Sequence, residues 1–234
     1  MQNARDRLAI ALDTSDLAAA VSTAKAVQSS IGIAKVGLQL FSAAGHDAVR
    51  AMQDVGMSVF LDVKLHDIPN TVYGASKVLG SLGVRYLTVH AAGGTAMLQA
   101  AVNGLQEGAD QANLPAPITL AVTVLTSEPT ASAELLNERL AAALAAGCQG
   151  IVCAAPDLPI IKHAAPNVIA VVPGIRPSGV PTHDQGRVAT PAEAIRNGAD
   201  VLVIGRAVTD ADDPAAAAAA IATEVSQAAE QLKD

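Results

Sequence analysis

The strongest constraint on the fold of this chain is the alternation of eight short apolar runs with longer, Ala-rich stretches. The runs are rich in β-branched residues, as strands are, and the stretches between them space their apolar residues as helices do. Such alternation is typical of βαβ units around a parallel sheet. Eight units favour closure into a (β/α)8 TIM barrel with surrounding helices. An open doubly wound sheet is the alternative, but it usually has fewer strands. No GxGxxG motif, which would favour such a sheet, follows the first run. The predicted strands are 8–13, 33–38, 58–65, 86–91, 118–125, 150–155, 168–174 and 201–206.

The residues at the ends of the predicted helices support the same division of the chain. Asp16 and Ser132 stand where an N-cap side chain accepts hydrogen bonds from the first helical turn. Asp213 and Pro214 mark the start of the last helix, which contains the Ala run 215–220. Four helices are predicted to end at a glycine before the next strand, namely at Gly56, Gly83, Gly147 and Gly198.

Length and composition indicate one globular domain. The chain has 234 residues, 51% of them hydrophobic, and no linker or shift in composition divides it. A (β/α)8 barrel has roughly 250 residues, so one barrel accounts for the whole sequence. We therefore predict a single, stand-alone barrel domain over residues 1–234.

Charge and hydropathy argue against several classes of partner. With a net charge of −7, the chain lacks the clustered Lys and Arg expected for nucleic acid or an anionic membrane surface. No apolar run approaches the ~20 residues of a membrane span, and residues 1–13 lack the long apolar stretch of a signal peptide. Cys148 and Cys153 provide no disulfide framework and are predicted to be inert buried thiols. We expect a cytoplasmic protein that binds neither nucleic acid nor membrane.

Charged residues interrupt the first three predicted strands or follow their apolar part. Asp13 ends the first strand, Lys35 lies within the second, and Asp62 and Lys64 interrupt the third. A spacing of two on a strand places Asp62 and Lys64 on one face, which we expect to be the barrel interior. Because charged side chains are almost never buried unpaired, these residues predict a shared charged patch. A purely structural ion network is the alternative, but such networks contribute uncertain stability, and barrel active sites lie at the C-terminal ends of the strands. Catalysis is therefore the favoured interpretation.

Other polar residues near strand ends are weaker candidates. Asp67 either extends the charged patch or caps the helix that begins near Pro69. His90 ends the fourth predicted strand, and Thr123 and Thr126 mark the fifth. No His, Cys, Asp or Glu cluster in the sequence has the spacing of metal ligands.

Two segments with glycine and arginine indicate phosphate binding. The seventh predicted strand runs into PGIRPSG (173–179), and the eighth runs into IGRAV (204–208). Loops after the seventh and eighth strands of a barrel often bind phosphate through backbone N–H groups and a helix N-terminus. Arg206 can then hold a dianion with two parallel hydrogen bonds.

The segment LDVKLHDIPNTV (61–72) resembles the D-x-K-x-x-D signature of the orotidine 5'-monophosphate decarboxylase family. Further blocks, in the order of the family's bacterial branch, extend this resemblance over nearly the whole chain. One departure is His183, where a small residue is expected before Asp184, and it concerns only the loop after the seventh strand. The blocks are ALD at 11–13, KVG at 35–37, TVHAAGG at 88–94, LTS at 125–127, PGIRP at 173–177, DQGR at 184–187, TP at 190–191 and IGR at 204–206.

This resemblance implies a homodimeric barrel that converts orotidine 5'-monophosphate to UMP in de novo pyrimidine biosynthesis, with no metal and no organic cofactor. Lys64 would be the proton donor to the C6 carbanion, standing between Asp62 and Asp67 of the partner subunit, and Lys35 would complete the catalytic group. Gln185 would lie on a loop that folds over the phosphate. The implied substrate-binding residues are Asp13, Lys35, Asp62, Asp67, Ile68, Thr71, Thr126, Arg176, Gln185, Gly205 and Arg206.

Two alternative functions remain. Sugar-phosphate decarboxylases and hexulose-phosphate synthases resemble this chain through D-x-K-x-x-D, but they carry a metal-binding Glu in an E-V-G at the second strand, where this chain has Lys35 in K-V-G. A non-catalytic phosphate-binding barrel would need the loops after the seventh and eighth strands but no buried pair of Asp62 and Lys64. Both alternatives are therefore disfavoured.

Overall fold

Parallel strands hydrogen-bond in chain order and the last pairs with the first, so that the sheet closes into a barrel. The structure is a computed structural model that describes residues 3–125, 132–177 and 188–232. Within these ranges it contains eight strands, which confirms the predicted (β/α)8 barrel. The strands are β1 (Leu8–Ala11), β2 (Ile33–Gly37), β3 (Ser58–Leu65), β4 (Tyr86–His90), β5 (Ile118–Val122), β6 (Gly150–Val152), β7 (Ile169–Val172) and β8 (Val201–Ile204).

Helices surround the barrel and connect successive strands. In the described part of the chain, three short 3-10 turns lie next to strands β1, β4 and β6, at Ala4–Arg7, Ala91–Gly93 and Ala155–Asp157. The α-helices of the described part of the chain are α1 (Leu17–Val27), α2 (Leu38–Ala44), α3 (His46–Asp54), α4 (Pro69–Gly80), α5 (Gly94–Gln111), α6 (Ala133–Ala145), α7 (Leu158–Ala164), α8 (Pro191–Arg196), α9 (Arg206–Thr209) and α10 (Pro214–Gln231).

The predicted helix ends are confirmed. Asp16 accepts hydrogen bonds from the N–H groups of Ala18 and Ala19 at the start of α1, and Ser132 accepts one from Leu135 at the start of α6. Asp213 caps α10 in the same way, with Pro214 in its first turn. The four glycines predicted to follow helices have φ angles between +69° and +95°, a conformation that costs other residues free energy.

Strand β3 has the predicted bounds, but the other described strands end one to three residues earlier than predicted. Most of the misassigned residues are apolar or small and therefore continue the sequence pattern of the strand, whereas Asp13 and Arg206 are charged. In the structure several of them leave the sheet and line a cavity instead, among them Asp13, Val124, Cys153 and Gly205. Many of these residues are buried, but Leu38 and Leu125 are exposed. The apolar pattern therefore did not separate a strand from the wall of a pocket or from an exposed position after the strand.

Apolar side chains fill the interior of the barrel below this cavity. Side chains alternate between the two faces of a strand, so residues two positions beyond the interior side chains of Ile33, Phe60 and Tyr86 also point inward, one level higher. These residues are Lys35, Asp62 and Thr88, and the site is built on them. The interior cluster is formed by Ala9, Ala11, Ile33, Phe60, Tyr86, Leu120, Val171, Val201 and Val203, and a larger cluster packs the helices against the outside of the sheet.

Candidate active site

A cavity of about 750 Å³ opens at the C-terminal end of the barrel. This volume lies in the usual range for small-molecule sites, about 300–1,000 Å³. Apolar side chains from β5, β6 and β8 form part of its wall, including Val122, Val152 and Val203. The sequence-predicted residues that line it are Asp13, Lys35, Asp62, Lys64, Arg176, Gly205 and Arg206.

Four of these side chains form a row of alternating charge. The ammonium of Lys35 lies 2.9 Å from Asp13 Oδ1 and 3.7 Å from Asp62 Oδ2. The other oxygen of that carboxylate, Asp62 Oδ1, lies 2.7 Å from the ammonium of Lys64. The predicted charged patch is therefore present, and its two cations are matched by two anions. We refer to Asp13, Lys35, Asp62 and Lys64 as the charged array.

The array is buried at its centre and open at its ends. The side chains of Lys35 and Asp62 are 9% and 13% exposed, whereas those of Lys64 and Asp13 are 30% and 61% exposed. Charges with little access to water interact more strongly than surface charges, because the effective dielectric is lower. Since all four residues line the cavity, the exposed part of the array is accessible to a ligand.

The contact between Asp62 and Lys64 depends on an irregular stretch of β3. The register jumps from Leu61 opposite Leu87 to Leu65 opposite Val89, so that β3 contains extra residues relative to β4. Lys64 lies in this bulge with a φ of 48°, which costs a residue other than glycine about 1–2 kcal/mol. The pair meets as predicted, but the regular strand on which that prediction rested is absent here. Strained backbone of this kind is often found at functional sites.

Thr88 contacts the array and was missed by the sequence analysis. Its side chain is buried, its hydroxyl lies 3.0 Å from Asp62 Oδ1 as a donor, and it accepts the backbone N–H of Lys64 at 2.9 Å. The sequence could have indicated Thr88 only by its position two residues after Tyr86, which places both side chains on the same face of the strand. Threonine is common in strands, so the residue type alone did not single it out.

Arginine side chains lie at the part of the cavity formed by the segments after β7 and β8. Arg176 is 5% exposed, and its Nη1 donates a hydrogen bond of 2.8 Å to the carbonyl of Ile175. Arg206 begins α9 directly after Gly205. A Cβ atom at Gly205 would meet Ala11 Cβ at 3.7 Å, which is ordinary contact. Protein packing therefore leaves room for a side chain at Gly205, and the glycine keeps this part of the cavity open.

Asp67, Ile68 and Thr71 lie outside the cavity of their own chain. All three are exposed, Ile68 by 65%, and none of them is among the residues described as lining the cavity. The alternative role of Asp67 as a helix cap is wrong. The N-cap of α4 is Ile68, and no side chain caps that helix; Asp67 Oδ1 instead accepts the N–H of Ile68 at 2.6 Å.

Other predicted candidates either have structural contacts or lie outside the described residues. His90 Nδ1 accepts the N–H of Ala92 at 3.2 Å, and its ring stacks on that of His66 at 5.3 Å. The hydroxyl of Thr123 donates to the carbonyl of Val152 at 3.0 Å. Thr126 and Gln185 lie outside the described residues, so their predicted roles stay predictions.

Both cysteines are buried, as predicted. Burial raises the pKa of the Cys148 thiol to about 12, so this thiol stays protonated at neutral pH and is a poor nucleophile. Among the described residues, no group of three or more His, Cys, Asp or Glu side chains is arranged to hold a metal ion. No helix in the described ranges is long and apolar enough to cross a membrane.

A (β/α)8 barrel with charged side chains at the C-terminal ends of its strands has the architecture of a barrel enzyme. Comparison with known proteins identifies the family. Residues 6–221 match the model of the orotidine 5'-phosphate decarboxylase / HUMPS family. The chain belongs to this family.

Relatives named as orotidine 5'-phosphate decarboxylases are similar to this chain over nearly their whole length. The chain is 47% identical over 235 residues to the orotidine 5'-phosphate decarboxylase of Moorella thermoacetica, covering 95% of this chain and 93% of the relative. It is 49% identical over 228 residues to that of Anaeromyxobacter sp. (strain K), covering 93% and 97%. The crystal structure of orotidine 5'-phosphate decarboxylase from Lactobacillus acidophilus superimposes with a TM-score of 0.80 at 33% identity, covering 94% of this chain and 99% of that one.

Proposed function

We propose that this protein decarboxylates orotidine 5'-monophosphate to UMP in de novo pyrimidine biosynthesis, and that Lys64 donates the proton that replaces CO2. The observation that carries this proposal is the contact of 2.7 Å between Lys64 Nζ and Asp62 Oδ1, within a cavity that also contains Arg176 and Arg206. A nucleoside monophosphate has a phosphate for the arginines and a ring for the charged array. The relatives named as decarboxylases support this choice of substrate.

The charged array would have to stabilise the carbanion that forms during the reaction and then protonate it. When the bond between C6 and the carboxyl carbon breaks, CO2 leaves and the electron pair stays on C6. The resulting carbanion has little resonance stabilisation, so a fixed positive charge beside it lowers the barrier. Lys64 can supply that charge and then transfer a proton from Nζ to C6, which gives UMP and a neutral amine that regains its proton from water.

Asp62 and Lys35 have supporting roles in this proposal. Hydrogen bonding to Asp62 fixes the Lys64 ammonium before substrate binds, and such preorganisation reduces the reorganisation needed during the reaction. Asp62 would also lie near the substrate carboxylate. Two unit charges about 4 Å apart at an effective dielectric of about 20 repel by about 4 kcal/mol, and loss of CO2 relieves that repulsion. Lys35 holds the second oxygen of Asp62 and keeps the centre of the array neutral.

The phosphate end of the cavity would bind the part of the substrate that does not react. A dianion beside Arg206 gains charge-assisted hydrogen bonds, and the open space at Gly205 lets a phosphate approach the backbone closely. Binding energy from such a remote group can position the reacting ring and so increase turnover. Asp13, at the exposed end of the charged array, and the cavity wall are assigned to the ribose and base.

The family name also covers the sugar-phosphate enzymes, and Lys35 separates the two functions. A metal-dependent enzyme would need a carboxylate at this position of β2. The chain has a lysine there, and its ammonium lies within 4 Å of both Asp13 and Asp62, where it would repel a divalent cation. We therefore assign no metal to the reaction, and the resemblance to the decarboxylases implies no organic cofactor either.

We further propose that the active enzyme is a homodimer in which Asp67 of the partner subunit completes the site. Three features of the segment before and within α4 support this. Asp67 is exposed and does not line the cavity of its own chain. It does not cap α4. The neighbouring Ile68 is a large apolar side chain that is 65% exposed, as expected for a residue covered by a second subunit. We also propose that the enzyme is located in the cytoplasm.

A spectroscopic assay tests the proposed reaction. Mixing the protein with orotidine 5'-monophosphate should change the ultraviolet spectrum from that of the substrate to that of UMP. Lys64→Ala should abolish this change, whereas Lys25→Ala should not, because Lys25 is exposed on α1 and does not line the cavity. If the wild type leaves the nucleotide unchanged but acts on a sugar phosphate with Mg²⁺, the proposal is wrong.

A further inference from the structure

We infer that Thr88 is a positioning residue for the reaction and that its hydroxyl holds the two ends of Lys64 in place. This inference rests on the proposed function, because it concerns the geometry of the proton donor. The hydroxyl accepts the backbone N–H of Lys64 at 2.9 Å and donates to Asp62 Oδ1 at 3.0 Å. The same carboxylate oxygen holds the Lys64 ammonium at 2.7 Å.

The backbone contact compensates for the bulge in β3. Between Leu61 and Leu65 the register with β4 is interrupted, so the N–H of Lys64 cannot take a regular place in the sheet. A buried N–H without a partner costs about 1–3 kcal/mol, and the Thr88 hydroxyl is the partner that the structure provides. It therefore stabilises Lys64 at its unusual φ of 48°, the conformation from which the side chain reaches Asp62.

The side-chain contact orients the acceptor of the ammonium. A threonine hydroxyl has one hydrogen to donate, and in this structure it is directed to Asp62 Oδ1. The carboxylate is thereby held by Thr88 and Lys64 on one oxygen and by Lys35 on the other. Because Thr88 is 0% exposed, water cannot replace its hydroxyl without rearrangement. Loss of the hydroxyl therefore removes one of the three contacts that hold the carboxylate and, at the same time, the partner of the Lys64 backbone N–H.

Three substitutions at Thr88 distinguish the effect of losing the hydroxyl from the effect of changing the volume of the side chain. Thr88→Val keeps the shape and removes the hydroxyl, Thr88→Ala removes hydroxyl and methyl group, and Thr88→Ser keeps the hydroxyl. Thr119→Val is the matched control, since Thr119 is a buried threonine on the adjacent strand β5 that has no part in the charged array. Each variant is compared at equal concentrations of folded protein, determined from thermal unfolding.

We expect Thr88→Val and Thr88→Ala to lower kcat about tenfold to a hundredfold while KM changes by less than about threefold, as for a lost contact that matters in the transition state. Thr88→Ser should retain most of the wild-type kcat, and Thr119→Val should retain it fully. Exchange of the C6 hydrogen of UMP in D2O should slow by a similar factor in the Val and Ala variants, because it passes through the same carbanion and the same lysine.

A kcat within about twofold of wild type in both hydroxyl-free variants would overturn the inference, and so would a Ser variant as slow as the Val variant. If one hydroxyl-free variant fails to fold, the other decides the question. A wild type that is inactive on orotidine 5'-monophosphate is a different result, because it refutes the proposed function itself. An active wild type with unaffected Thr88 variants refutes only the role of Thr88.

Discussion

Lys35 and Asp13 form an ion pair, with Nζ 2.9 Å from Oδ1, in a space left open by the absence of a side chain at Gly37. A Cβ atom at Gly37 would lie 2.9 Å from Asp13 Oδ1 and 3.0 Å from Lys35 Nζ. The first contact is too close and the second is tight, so a side chain at this position must shift the atoms of the ion pair. The glycine of K-V-G is therefore tied to the geometry of the charged array.

We predict that Gly37→Ala lowers kcat/KM by about tenfold or more, corresponding to at least about 1.4 kcal/mol of transition-state stabilisation. The atoms displaced are the ends of flexible side chains, and the φ of Gly37 is −87°, so alanine causes no backbone strain. The unfolding temperature should therefore change little. Steady-state kinetics and thermal unfolding of the same preparation test this, and an unchanged kcat/KM would contradict it.

Gly205→Ala should affect ligand binding and leave the fold intact. A Cβ atom there would meet Ala11 at an ordinary distance of 3.7 Å, so the barrel tolerates it, but the methyl group would enter the space assigned to the phosphate. We expect KM for the nucleotide to rise and the unfolding temperature to stay close to that of wild type. A KM equal to that of wild type would show that the phosphate does not bind beside Gly205.

Arg206→Ala should weaken substrate binding and also slow turnover. Both effects follow if phosphate binding positions the reacting ring, and together they should lower kcat/KM by about tenfold to a hundredfold. Arg196→Ala is the matched control, since Arg196 is an exposed arginine in the last turn of α8. Phosphite added to a nucleoside substrate that lacks the phosphate should accelerate the wild type. Absence of acceleration would mean that the phosphate acts only as an anchor.

Activity should not depend on a metal ion. The motivation is the lysine at position 35, whose ammonium lies near both Asp13 and Asp62. Dialysis against EDTA should leave the rate of UMP formation unchanged, and added Mg²⁺ should not raise it. A loss of activity that Mg²⁺ restores would favour the sugar-phosphate branch of the family.

The proposed sharing of Asp67 between subunits predicts that two inactive variants complement each other. Lys64→Ala and Asp67→Ala should each be nearly inactive alone but folded, since Asp67 does not cap α4. In a mixed dimer, one site combines both defects and the other is intact. Random reassortment makes about half of the dimers mixed, so about a quarter of the sites should recover.

Co-refolding the two variants and assaying decarboxylation measures this recovery. Mixing the two preparations without unfolding serves as the control for subunit exchange. If each site used Asp67 from its own chain, the mixture would be no more active than its components, and the shared site would be excluded.

Much of the candidate site could be predicted because its residues interrupt local patterns. Asp62 and Lys64 stand out as charges within an apolar strand, and Lys35 stands out in the same way in β2. Their close contacts confirm the predicted charged patch. The role of Thr88 could not be predicted, because a threonine in a strand breaks no pattern, and its two contacts join residues 24 and 26 positions apart in the chain.

The sequence by itself determined the order of strands and helices, the inward direction of Lys35 and Asp62 and the glycines that end the helices. These features depend on residues that are close in the sequence, so the spacing of apolar residues along helices and strands indicates them directly. Only the tertiary structure decided where the strands end, how the bulge in β3 turns Lys64 toward Asp62, and that Asp67 does not line the cavity of its own chain. These depend on the register between strands that are distant in sequence, which is set by packing of the whole barrel rather than by any local run of residues.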